Sequence, residues 1–232
     1  AILFVIAGHF MVLNTRFYQS DFKGASMIAQ GTFLQLFLIG VPLFIILTGY
    51  LNSSKSVSCK YYGGGVRVIV SYLFFSVVTI AFRKYYLHEE TSWLDWLIGI
   101  ANFSAIPYGW YIGMWIGLFL LAPFLNILYG HIPSKRQKLL LILLLFVISS
   151  VPKMLNRPEK DMLLIGNFWC NLYPFALYFV GAYIREYRPV LNKKLLIGLI
   201  CSMCLVTPAL NLLVFRGESR LFNFMGGQEA LF

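Results

Sequence analysis

What this sequence has least of is charge. Only 12% of its 232 residues are Asp, Glu, Lys or Arg, and only nine are acidic, whereas soluble domains carry about 25% charged residues. That shortage excludes an ordinary water-soluble globule. The short alternating segments of about ten residues that mark a membrane β-barrel are also absent. Cysteine is scarce, and Cys59, Cys170, Cys201 and Cys204 form no readable disulfide framework. Cys201 and Cys204 make a C-x-x-C inside an apolar run. It has no further ligands nearby and no strand–helix redox context, so both read as packing residues. Internal repeats and low-complexity tracts are missing too, and no cleavable signal peptide is visible. No basic stripe interleaved with aromatics occurs, so the net charge of +10 does not point to nucleic acid. The triple glycine at Gly63 to Gly65 lacks the GK[ST] ending and preceding strand of a phosphate loop. It reads as a flexible connection.

What remains is apolar. Hydrophobic residues make up 59% of the chain and the mean hydropathy is +0.74. Crossing a bilayer takes about 20 helical residues, and uncharged runs approaching or exceeding that length recur. The fold class is therefore all-α, a polytopic transmembrane helical bundle with about seven to eight spans. The spans are expected at residues 1–14, 33–51, about 67–82, 108–129, 139–151, 167–184 and 195–215, with an eighth beginning at 221–232. A polar loop is expected at 15–32, and an interfacial or re-entrant segment at 96–106 ahead of Pro107. Gly40-Val41-Pro42 should loosen the second span. Lys138 and Lys153 should snorkel from the short fifth. Asn102, Asn126, Asn167, Asn171 and Asn211 are expected to hydrogen-bond between helices. The chain opens inside an apolar run without a methionine, so 1–232 is expected to be one transmembrane domain truncated at both ends.

Basic residues set the orientation. The connections after spans two, four and six hold Lys55, Lys60 and Arg67, then Lys135, Arg136 and Lys138, then Arg185, Arg188, Lys193 and Lys194. Those short loops are placed in the cytoplasm, and the first span then runs outward. His9 comes to lie about one turn below the outer interface. An ionisable group inside a span is a functional hypothesis. A neutral imidazole can act as general base toward an alcohol, though a histidine near a span end can equally be a polar partner of a neighbouring helix. His88 and His131 fall in loops on opposite sides, so no metal site is expected.

Further residues form an ordered series with His9. Gly8-His9 closes the first span, and Gly40-Val-Pro-Leu-Phe44 runs to Thr48-Gly49-Tyr50-Leu51 in the second. Arg67 opens the third with Ser71-Tyr72-Leu73 behind it. Trp110-Tyr111-Ile112-Gly113 leads to Pro123 in the fourth, and Phe179-Val180-Gly181-Ala182-Tyr183 lies in the sixth. Together these resemble the acyltransferase 3 family of integral membrane acyltransferases, which O-acylate glycans and related surface molecules.

The resemblance implies a bundle of about ten helices, no bound cofactor, and an acyl-CoA co-substrate, acetyl-CoA above all, reaching the site from the cytoplasm. It implies a glycan acceptor in the envelope and a location in the plasma membrane, that of a bacterium for such a glycan. His9 matches the family's first-span histidine. The arginine the family carries eleven positions earlier would fall before Ala1. Arg67 would then clamp the phosphates of CoA, with a topology anchor as its plainer reading. Trp110 and Tyr111 would stack on the acceptor sugar, or serve as interface-belt aromatics. A transporter or flippase for a lipid-linked sugar is the alternative, and it shares only the Gly40–Pro42 break with this sequence.

Overall fold

The structure, a computed structural model, describes residues 1–15, 24–106, 108–155, 166–190 and 192–213. Helix is the regular structure of these residues, with no strand among them. In order they form α1 (Ile2–Thr15), α2 (Gly24–Leu38), α3 (Gly40–Asn52), α4 (Cys59–Tyr85), α5 (Trp93–Ala101), α6 (Trp110–His131), α7 (Lys135–Leu155), a 3-10 turn (Asn167–Leu172), α8 (Tyr173–Tyr187) and α9 (Lys193–Leu213). Their packing falls into two compact units. One comprises the described residues of Ala1–Leu51 and Ser134–Ala230, the other Asn52–Pro133.

In the first unit the sequence breaks the helix where expected. Pro42 has no amide hydrogen to offer the Leu38 carbonyl, and the helix is interrupted at Ile39. It resumes at once, the Leu43 amide donating to the Ile39 carbonyl at 3.0 Å. α1 leans on this break. A Cβ on Gly40 would lie 2.8 Å from Val5 Cγ2 and 3.2 Å from the Ala1 carbonyl oxygen, so only glycine allows the approach.

Deeper in the same unit α3 crosses α8 through reciprocal glycines. A Cβ on Gly49 would strike the Tyr178 carbonyl, and one on Gly181 would strike the Ile46 carbonyl and the Tyr50 amide. Without a hydrophobic drive between helices in lipid, small residues that let backbones touch supply the association. Tyr178, Phe179 and Ala182 are buried around the crossing. At one end of the unit Arg185 donates to the Tyr50 and Leu51 carbonyls at 2.8 and 3.0 Å, satisfying the orphan acceptors where α3 stops. Beside it Lys138 donates to both carboxylate oxygens of Glu186 at 2.7 and 2.9 Å.

In the second unit α4 and α6 run antiparallel. Ser58 caps α4 by accepting from the Tyr61 amide. The Tyr61 and Tyr62 hydroxyls donate to the Phe119 and Leu120 carbonyls at 2.8 and 3.3 Å. Asn126 Nδ2 donates to the Asn52 and Lys55 carbonyls at 2.7 Å each. At the other end of the pair the Tyr72 hydroxyl donates to the Ile100 carbonyl at 2.9 Å, and Arg83 pairs with Glu89 at 2.7 Å while stacking over Trp96.

Several expectations are corrected. Gly63 to Gly65 are not a flexible connection: α4 begins at Cys59 and runs through them. Each glycine costs a helix about 1 kcal/mol, and the tyrosine bonds to α6 and the seating of Gly65 on the Phe119 ring offset that cost. Arg67 consequently sits two turns inside α4 instead of opening it. The polar loop ends at Gly24, where α2 begins, and α7 extends from Lys135 to Leu155 beyond the 139–151 span. Lys138 does not snorkel. It is 6% exposed, held by its carboxylate partner. Of the five asparagines, Asn126 alone makes the described bridge between segments. Asn102 bonds locally to Ser104, Asn171 is exposed, and the side chains of Asn167 and Asn211 lie outside the described residues. So does the stretch 221–232.

Among the described residues three helices are long and apolar enough to cross a membrane, Ile28–Asn52, Cys59–Tyr85 and Trp110–His131. Their outward residues agree: Val70, Phe74, Phe75 and Val77 on α4 and Phe124, Ile127 and Leu128 on α6 are all more than half exposed. Apolar side chains exposed along helices of that length suit a bilayer against them.

Candidate functional site

His9 stands on α1 half-buried, with ring Nδ1 2.8 Å from the Val5 carbonyl oxygen. A carbonyl only accepts, so the bond needs hydrogen on Nδ1 and leaves the lone pair of the neutral ring on Nε2. Nε2 is then the ring nitrogen able to take up a proton. His131 makes the same bond to Ile127 on α6 but is exposed at a helix end. What distinguishes His9 is therefore its place inside the helix bundle, since the bond is common to both. Val5, one turn before His9, is the residue seated on Gly40, which puts the histidine on the face of α1 that meets the broken second span.

An apolar groove of about 870 Å³ runs between α1 and α2, lined by Leu3, Ile6, Phe10, Phe33 and Phe37, with Gln30 its longest polar side chain. At 100° per residue the α1 side of this groove lies about 130° round the helix from His9. The histidine and the groove face different ways.

Arg67 belongs to the second unit and is exposed. Lys60, Gly63, Gly64 and Arg67 recur at spacings of three and four and so share one face of α4. All four are exposed, and a Cβ on Gly63 or Gly64 would meet nothing within 4 Å. Two cations about 10 Å apart along a helix, separated by open glycine surface, can take a polyanion. Lys60 and the glycines, in sequence a basic loop residue and a flexible connection, thus join Arg67 on one helix face. The signal that could have found them was the helical spacing, hidden by reading the glycines as a loop.

Trp110 and Tyr111 open α6, their rings edge-on with centroids 6.0 Å apart and both half-buried. Within the second unit they are not gathered with Arg67. Gly65 packs on Phe119, nine residues beyond Trp110 and about 14 Å along the axis. What the aromatic pair does meet is a corner the sequence did not reveal. Phe103 has a left-handed backbone, φ 63°. Its carbonyl takes the space a Cβ on Gly109 would need, and its ring packs over Gly113. Among the described residues no three His, Cys, Asp or Glu side chains converge as metal ligands, and Cys59, Cys170, Cys201 and Cys204 form no disulfide.

Compared with known protein families, residues 1–226 match the one described as an acyltransferase domain. No curated protein and no solved structure matches the chain.

Proposed function

We propose, on the premise that this chain belongs to the acyltransferase 3 family of membrane acyltransferases, that it moves an acetyl group from acetyl-CoA to a hydroxyl of an envelope or exported polysaccharide. The acceptor's proton passes to His9 Nε2 as its oxygen attacks the thioester carbon. The collapsing intermediate then expels CoA thiolate, which takes that proton back from His9, and the products are an O-acyl ester and CoA in its thiol form. The observation that carries this reading is the place of His9, half-buried on α1 against the broken second span, with its Nδ1 hydrogen on the Val5 carbonyl and its basic nitrogen at Nε2. A base placed there contributes about 10²–10⁴ in rate, and the dry surroundings protect the donor from hydrolysis.

Arg67 and Lys60 bind the donor's phosphates across the open glycine face of α4. Guanidinium and ammonium groups both suit phosphate, the former with two parallel hydrogen bonds. Trp110 and Tyr111 hold the acceptor sugar by stacking. The protein works in the plasma membrane of a bacterium. Comparing O-acyl groups by mass analysis on envelope polysaccharide from cells with and without the intact gene tests the reaction. Loss of one acyl species on deletion, restored by the gene, supports it; unchanged polysaccharide overturns it. For the donor site, Arg67→Ala raises KM for acetyl-CoA at least tenfold with little change in kcat, whereas a topology anchor leaves KM where it was.

A further inference from the structure

Trp110 and Tyr111 sit on the first turn of α6, and Gly109 before it brings no side-chain cap to that turn. The Ile112 and Gly113 amides turn back to the Gly109 carbonyl at 2.9 and 3.2 Å, so the turn that carries the two aromatics hangs on the seat of Gly109.

Phe103 makes that seat. Its carbonyl lies against the Cα of Gly109, one residue before Trp110. Its ring lies against Gly113, where a Cβ would stand 2.8 Å from Cδ2. One residue therefore braces the turn on both sides of the aromatic pair. Phe103 is itself fixed by the helices behind it. Its ring packs on Tyr72 with centroids 5.0 Å apart, and Tyr72 is buried with its hydroxyl bonded to the Ile100 carbonyl. Asn102 Oδ1 accepts from the Ser104 amide and hydroxyl at 3.0 and 2.6 Å, closing the corner. A phenylalanine rarely adopts a left-handed backbone, and such strain survives where the surroundings over-determine it.

The geometry points to Phe103 as the positioning residue of the acceptor site, the group that sets Trp110 and Tyr111 at the angle a sugar ring stacks on. It touches no reacting atom and acts through the two aromatics. The inference rests on the reading of Trp110 and Tyr111 as the acceptor platform, and the test separates the two.

The full-length protein in nanodiscs is given labelled acetyl-CoA and, as acceptor, envelope polysaccharide of the producing cells stripped of O-acyl groups by mild alkali. Phe103→Ala raises KM for the polysaccharide about three- to tenfold, the size of one aromatic contact. KM for acetyl-CoA and the rate of donor hydrolysis without acceptor stay at their wild-type values. Gly113→Ala does the same by displacing the ring, and it adds nothing further in the Phe103→Ala background. If Phe103→Ala does not accumulate, Phe103→Leu, which keeps bulk and loses the ring, carries the same expectation. Should Trp110→Ala raise the acceptor KM while neither Phe103 variant does, or should the effects of Phe103→Ala and Gly113→Ala simply add, the positioning role is overturned. Should Trp110→Ala leave the acceptor KM unchanged, the platform itself is wrong and the positioning role falls with it.

Discussion

At the scale of single residues, the sequence motifs turn out to do different kinds of work. His9 was legible because an imidazole in an apolar run has few reasons to be there. Gly49 and Gly181 were legible as motif members, but their role was not, because a reciprocal contact between positions 132 residues apart leaves no local pattern. Neither glycine tolerates a methyl group, since the atoms in its way are backbone on the partner helix. Gly49→Ala and Gly181→Ala should each destabilise the protein by about 1–3 kcal/mol or more, read as a fall in thermal midpoint in detergent. Gly63→Ala should do the opposite. It adds a methyl to open space on an exposed helix face and gains about 0.5–1 kcal/mol of helix preference. A fall in midpoint for that variant would mean that α4 does not run through its glycines.

At the scale of elements, helix existence followed from composition and helix ends did not. The start of α4 was misjudged because Gly63 to Gly65 look like a linker in isolation. The bonds that hold them helical come from Tyr61 and Tyr62 reaching across to α6. The pin between α7 and α8 was missed for a similar reason. Lys138 sits among loop lysines in sequence, and its partner Glu186 is 48 residues away. Lys135 also leans on this corner, over the Tyr187 ring at 5.1 Å. Removing the carboxylate takes the counter-ion from a cation whose side chain is only 8% exposed, while removing the lysine leaves a carboxylate that is 39% exposed and can hydrate. Glu186→Gln should therefore cost more stability than Lys138→Met, by about 1–2 kcal/mol, with denaturation midpoints as the measurement. Equal costs would mean that the pair is a surface contact.

At the scale of the whole molecule, the bilayer is the partner that the composition announced and that suits the exposed apolar faces. Within each unit, helix ends gather as the basic loops imply: α3 stops where α7 starts and α8 stops, and the Asn52–Lys55 turn lies at the late end of α6. The orientation across the membrane is an expectation with a direct test. Cys59 is exposed at the start of α4, so a membrane-impermeant maleimide should label it in inverted vesicles and not in intact cells, and the reverse result would invert the topology.

What the rest hangs on is the imidazole of α1. The most direct measurement is acyl transfer by purified full-length His9→Ala protein that melts at the wild-type temperature. Transfer to polysaccharide should fall by about 10²–10⁴ while binding of acetyl-CoA is retained, and a variant that transfers at the wild-type rate would contradict His9 as the base.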